Sequence, residues 1–229
     1  MKICAESWPP FLFRNSNGDV TGMAAQWITR AAQQAGLQPS FQFLSLPSCR
    51  RLAAAGMVDA LAFTPSKEQL EGWLLTREPM VFWVLTAFVP YQSPHRAFQD
   101  LAQFSGQRVG WGQFYRYPDR LALKRDWERV KAFDAEAVFT LLVRGRVSVV
   151  FDDERFVDHA LPQNIRMQLR ALHPAAAAMA QPVVVRPGLG VFAQALDREA
   201  RDLRRQGVLD RFYRQHYHTP LDTLLATAD

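Results

Sequence analysis

The chain has 229 residues, 48% of them apolar, and its 27 basic and 22 acidic side chains leave a net charge of +5. That apolar share supports a sizeable core and excludes a disordered chain, and no run approaches the roughly 18 apolar residues of a membrane span. The basic residues are not gathered into one run: Arg198, Arg201, Arg204 and Arg205 are interleaved with Asp197, Glu199 and Asp202, the pattern of a solvated helix face with no nucleic-acid-binding motif beside it.

Residues 2–6 read as a first strand, followed at once by Trp8-Pro9-Pro10-Phe11, a rigid loop carrying two large aromatics, because two prolines continue neither a central strand nor a helix interior. The first residues hold no apolar signal-peptide core, which leaves a cytosolic protein or a mature exported one. A turn at residues 15–19 and Thr21-Gly22 lead into a helix ending at Gly36. Residues 41–44 are a second strand, and Pro47-Ser48 opens a helix ending at Gly56, with Arg50 and Arg51 on its exposed start and one of them able to reach a cleft. After the strand at 59–63, Thr64-Pro65 is a cap and first-turn pair for a new helix, whose free amides form an anion site. Residues 81–89 are the longest strand, long enough to connect two lobes.

Around residue 90 the pattern restarts. Residues 98–104 are a short amphipathic piece, 108–111 a strand, and Gly112-Gln113-Phe114-Tyr115 a turn into a helix reaching toward Trp127. Strand 130–133, helix 135–143, strand 147–151, helix 153–161 and strand 166–172 complete this half. Residues 181–186 return the chain to the first half, and helices at 191–206 and 209–217 flank Gly207. The last dozen residues lack periodicity and read as a frayed end.

One stretch occurs twice. Residues 52–64 and 141–153 align Leu52 with Leu141, Gly56 with Gly145, Val58 with Val147, Leu61 with Val150 and Thr64 with Asp153. Each copy is an apolar helix, a Gly suited to the left-handed conformation, and a strand apolar enough to be buried on both faces. Each ends in a polar residue at the carboxyl end of its strand, where open α/β sheets bind ligands. Helix–Gly–strand also recurs in any α/β protein.

These landmarks resemble the type II periplasmic solute-binding proteins, in the amino-acid-binding branch called bacterial extracellular solute-binding family 3. The resemblance is carried by Trp8-Pro9-Pro10-Phe11, Gly18 to Gly22, Gly56-Met57-Val58-Asp59-Ala60, Thr64-Pro65-Ser66-Lys67 and Thr76-Arg77-Glu78-Pro79-Met80. In the second half it is carried by Asp100-Leu101, Gly106 to Gly110, Gly145 to Val150 with Asp153, and Leu203 to Gly207 before Phe212-Tyr213. It implies two Rossmann-like α/β lobes joined by two hinge strands and closing on a solute: residues 1–87 plus 183–229, and residues 88–182.

The resemblance also implies the site. Trp8, Phe11 and Phe13 would cover the ligand, and Thr64 and Lys67 would hold its carboxylate, although Lys67 stands where the family has Arg and lacks the planar fork. Gly112 and Tyr115 would supply the second lobe's carboxylate contacts on a bulkier turn than usual. Asp153, with Asp152 beside it, would receive an amino group. Each has a structural alternative: packing for Trp8 and Phe11, helix capping for Thr64 and Asp153, and solvation for Lys67.

The scattered histidines have no ligand-spaced partners, so neither metal nor cofactor is expected. Cys4 and Cys49 match no metal or redox motif. They lie near neighbouring strands and form either a bridge, which would argue for export, or two buried thiols. The resemblance implies a monomeric periplasmic binding protein that takes a small amino-acid-like or organic-anion ligand to an ABC importer's membrane permease, with no nucleic acid involved. An enzyme on the same fold, of the cyclohexadienyl dehydratase kind, and a ligand-sensing input domain are the alternatives.

Overall fold

The computed structural model describes residues 1–64 and 70–227. In chain order these form strands β1 (Lys2–Ala5), β2 (Phe13–Arg14) and β3 (Val20–Thr21), helix α1 (Met23–Gln34), β4 (Ser40–Phe43), α2 (Leu46–Ala54), β5 (Ala60–Ala62) and β6 (Leu74–Leu75). They continue through β7 (Phe82–Pro90), a 3₁₀ turn at Leu101–Phe104, β8 (Arg108–Gly112), α3 (Asp119–Ala122), β9 (Glu128–Ala132), α4 (Ala135–Val143), β10 (Val149–Asp153), α5 (Glu154–Ala160) and α6 (Gln163–Arg166). Strands β11 (Leu169–Ala180) and β12 (Val183–Val185) and helices α7 (Gly190–Arg205), α8 (Val208–Tyr217) and α9 (Leu221–Thr227) complete the order.

The chain divides into two units, one comprising Met1–Phe82 and Ala180–Leu225, the other built on Trp83–Met179. The first holds a sheet of order β4-β1-β5-β12-β6. Strand β1 is parallel to β4 and β5, whereas β12 runs antiparallel to β5 and β6. Helix α2 packs its apolar side on this sheet, where Cys4, Cys49, Ala53, Val58, Leu61, Trp73 and Val184 form one buried cluster. Cys4 and Cys49 are joined by a disulfide, with their Cα atoms 5.5 Å apart. Helix α1 lies against α7, and the buried Trp27 indole donates to the carbonyl of Leu196 at 2.9 Å.

The second unit is built on the sheet β11-β7-β10-β8-β9. Strands β8 and β9 are parallel to each other, β10 is parallel to β8, and β7 is antiparallel to β10. Helix α4 covers it through Val138, Phe139 and Leu142, which pack with Phe88, Val147 and Val150.

Both copies of the repeated stretch close in the same way. Gly56 (φ 68) and Gly145 (φ 65) are left-handed. The amide of Gly56 donates to Ala53 and that of Met57 to Leu52; the amide of Gly145 donates to Leu142 and that of Arg146 to Leu141. This is the Schellman pattern, which meets the helix's last carbonyls and turns the chain sharply into a strand.

The helix expected to open at Thr64-Pro65 falls on residues outside those described, the strand expected at 147–151 lies at Val149–Asp153, and the larger differences from the sequence reading are three. The helix expected from residue 112 toward Trp127 is confined to Asp119–Ala122, because Pro118 disfavours helical backbone at Tyr117. The strand expected at 166–172 begins later and runs to Ala180, after a helical turn at Gln163–Arg166. Its alanines have weak strand preference and are held by burial of Ala176, Ala177 and Ala178; Pro174 is tolerated because β11 is an edge strand. The end read as frayed forms α9, anchored by buried Leu221 and Leu224. Among the described residues no helix is long and apolar enough to cross a membrane.

Candidate functional site

In the first unit, the polar groups gather at the carboxyl ends of β1 and β5. Strand β1 runs out at Ala5 and delivers Glu6, then Trp8. The loop folds back on itself: the Trp8 amide donates to the Leu12 carbonyl at 2.8 Å, and the Phe11 and Leu12 amides donate to the Trp8 carbonyl at 2.8 and 3.0 Å. The half-buried Trp8 ring meets Phe11 edge-on at 5.2 Å and Phe63 at 5.9 Å. Phe63 holds a left-handed backbone at φ 65, uncommon for a side chain of its size. It turns the chain so that Thr64, fully buried, donates its amide to the Pro182 carbonyl at 3.2 Å.

Arg50 reaches this point from α2. Its Nη2 donates to Thr64 Oγ1 at 3.1 Å, while its Nε is buried with no hydrogen-bond partner among the described residues. Glu6 closes the group on the other side, its Oε1 accepting the Leu46 amide at the start of α2 at 3.0 Å. Burial pushes the Glu6 carboxyl above the ordinary glutamate range, against the opposing pull of the Leu46 amide and the Arg50 charge. A guanidinium and a hydroxyl at a strand end are the equipment for holding an anion.

In the second unit, Asp153 ends β10 and caps α5: its Oδ1 accepts from the amides of Arg155 at 2.8 Å and Phe156 at 3.1 Å. Asp152 Oδ1 accepts from the Trp83 indole at 3.2 Å and from the Asp153 amide at 2.8 Å. Around this carboxylate stand aromatic rings. Trp83 lies 5.7 Å from Tyr115 and 4.9 Å from Tyr117, and Tyr117 lies 3.8 Å from Trp111. Burial drives the Tyr117 phenol pKa well up, and the charge of Asp152 adds to it. Electron-rich faces beside carboxylates favour a cationic group.

The structure sorts the sequence-predicted residues. Trp8, Thr64 and Asp153 stand at strand ends, Asp153 as the cap that its structural alternative required, and Tyr115 joins the aromatic group. Phe11 does not cover a site from the surface. It is fully buried, packed on Phe212, Tyr213 and Tyr217 at 5.3, 6.1 and 6.0 Å. Phe13 lies partly buried in β2. Gly112 offers no free amide, because its N–H donates to Tyr117 Oη at 3.1 Å and the Tyr115 ring covers its Cα. Lys67 lies outside the described residues.

Phe63, Trp83 and Tyr117 were missed. Trp83 sits in a strand buried on both faces, where no alternation marks a functional side. Among the described residues no cluster of His, Cys, Asp and Glu could hold a metal ion. A hollow of about 460 Å³ beside Thr21, Gln26, Arg30 and Phe41 contains none of these residues.

No curated protein matches the chain. Solved structures do match in fold. A P235GK mutant of ArgBP from T. maritima superposes with a TM-score of 0.69 at 16% identity, over 96% of this chain and 95% of that one. An ancestral arginine-binding protein bound to arginine gives 0.68 at 17%, over 94% and 97%. The substrate-binding protein of an amino acid ABC transporter gives 0.68 at 14%, over 96% and 99%. These likenesses place the architecture in the type II periplasmic binding protein fold. The family model for bacterial extracellular solute-binding proteins, family 3, matches residues 1–219; the chain belongs to that family.

Proposed function

We propose that the protein captures a small zwitterionic or carboxylate-bearing solute, an amino acid or a close analogue, and delivers it as a monomer to an ABC importer in the periplasm. The observation that carries this reading is the chemistry at the ends of the two repeated strands. In the first unit, Thr64 is joined by a guanidinium and flanked by Trp8, which suits a carboxylate. In the second, Asp152 lies among Trp83, Tyr115 and Tyr117, with Asp153 next to it as the cap of α5, and a carboxylate beside aromatic faces suits an ammonium or guanidinium group. Family membership supports solute capture, and related folds described as bound to arginine or to glutamine support an amino acid. In this reading residues 1–87 with 183–229 and residues 88–182 are two lobes, and Lys67 is a further ligand-binding residue.

A thermal shift screen of amino acids and organic acids tests it. A ligand at a hundred times its Kd adds about 2.7 kcal/mol to stability, which for a chain of this size raises Tm by several degrees. Asp153→Ala should abolish that shift for the amino acid that produces it, and Trp8→Phe should reduce the accompanying fluorescence change. A panel without any shift in the wild type would remove the amino-acid assignment.

A further inference from the structure

We propose that Arg50, on α2 and outside the Thr64-Pro65-Ser66-Lys67 element, is a ligand-binding residue that grips the carboxylate of the solute. The inference rests on the solute-binding reading above and assigns that reading a specific cation. Three observations carry it.

The first is the unspent fork. Arg50 uses Nη2 on Thr64 Oγ1 and leaves Nε buried without a partner among the described residues. A buried N–H left unmet costs on the order of 1–3 kcal/mol, and a carboxylate accepting from a guanidinium edge meets it with two parallel bonds. The second is charge. Among the described residues no carboxylate forms an ion pair with Arg50. Arg186 is paired with Asp59, Arg201 and Arg204 with Glu78, and Arg155 with Glu154 and Asp158. Among the described residues Arg129 and Arg166 also have an unmet Nε, but the Nη2 of Arg129 is held by the carbonyls of Leu121, Ala122 and Lys124, and the Nη1 of Arg166 by the carbonyl of Asp158. Glu6 stands near Arg50, yet its bonded oxygen is committed to the Leu46 amide.

The third observation is how firmly the side chain is placed. The preceding residue, Cys49, is bonded to Cys4 in β1, two positions before Glu6. The bond ties the second turn of α2 to the strand whose end carries the aromatic loop. Arg51, one residue further round the helix, turns away and bonds Ser48 Oγ at 2.9 Å on the exposed side. A cation fixed at a strand end, with an unused donor edge, is preorganised for an anion rather than for solvent.

The test is calorimetric titration of wild type, Arg50→Ala, Arg50→Lys and Arg51→Ala with L-arginine, L-glutamine and L-glutamate and with their α-carboxamides. Arg50→Ala should weaken the free acids by at least about thirtyfold. It should change the carboxamides by no more than about threefold, a split that loss of fold would not produce. Arg50→Lys should fall between, and Arg51→Ala should stay within about twofold. Acids unchanged in both Arg50 variants, or acids and carboxamides weakened alike, would overturn the assignment and leave the amino-acid reading standing. If the wild type binds none of these probes, the amino-acid reading is decided by the wider panel and the Arg50 test moves to simple carboxylates. Acetate and succinate titrated against the Arg50 Nε–H resonance then decide: a saturable shift absent in Arg50→Lys supports the carboxylate grip, and an unmoved resonance overturns it.

Discussion

Arg50 and Thr64 are bonded side chain to side chain at 3.1 Å although they lie 14 residues apart, one on α2 and one beyond the end of β5. The Schellman turn at Gly56 creates this relationship, because it reverses the chain between the helix and the strand so that both deliver a polar group to one end of the sheet. The same turn at Gly145 brings β10 to Asp153 in the other unit. Stability of the scaffold under these groups can be tested residue by residue.

Gly22 is required by its backbone and by its neighbours. Its φ is +111, and a Cβ there would lie 2.3 Å from the Phe11 carbonyl oxygen and 2.6 Å from its carbon. The obstacle is backbone, which no side-chain rotation relieves. Gly22→Ala should destabilise the protein by at least about 3 kcal/mol and displace the Trp8–Phe11 loop. Urea unfolding checks it; a loss below about 1 kcal/mol would contradict the close approach.

Tyr213 ties α8 to the chain entering β7. Its hydroxyl donates to the Met80 carbonyl at 2.8 Å and accepts from the Phe82 amide at 2.9 Å, in a fully buried position. Tyr213→Phe keeps the ring packing and leaves two buried backbone groups unmet, so it should cost about 2 kcal/mol. Amide exchange at Phe82 should quicken at the same time.

The bond between Cys4 and Cys49 closes a separation of 45 residues. In the chain-entropy treatment such a loop is worth about 4 kcal/mol. Replacing both cysteines by alanine should lower the unfolding free energy by an amount of that order, and reductant should lower the wild type alone. Equal stability of the two proteins under oxidising conditions would show that the bond contributes nothing.

Glu6 makes stability depend on pH in a definite direction. Burial raises its folded-state pKa above the ordinary 4.5, so the folded chain holds the proton more tightly than the unfolded chain. Its contribution is complete below about pH 4.5 and is lost as pH rises through the folded value. Glu6→Gln retains an acceptor for the Leu46 amide without the charge. Its stability relative to wild type should therefore improve between pH 4.5 and 7.5. A difference that stays constant or reverses would contradict the burial of this carboxyl.

Much of this architecture was legible because it rests on local chemistry. Gly56 and Gly145 announced themselves as helix ends, and the apolar runs before Thr64 and Asp153 read as buried strands because few other elements of that length are so continuous. What was hidden depends on distant partners. Phe11 beside two prolines looks like a surface aromatic until Phe212, Tyr213 and Tyr217 arrive from the far end of the chain to bury it. Gly112 looks like a free turn amide until Tyr117 occupies it. Arg50 and Arg51 are indistinguishable as letters; only the helix phase set by Cys49 turns one inward and the other out.

Reversible capture of a small amino-acid-like solute is the proposed function of this chain. The most direct test is calorimetric titration of protein freed of bound ligand by unfolding and refolding, against amino acids and organic acids, with mass spectrometry of the solute afterwards. One saturable site is expected with a Kd at or below about 10 μM, equivalent to about −7 kcal/mol or tighter, and with the solute recovered unchanged. Absence of saturable binding across the panel, or recovery of a chemically altered product, would contradict it.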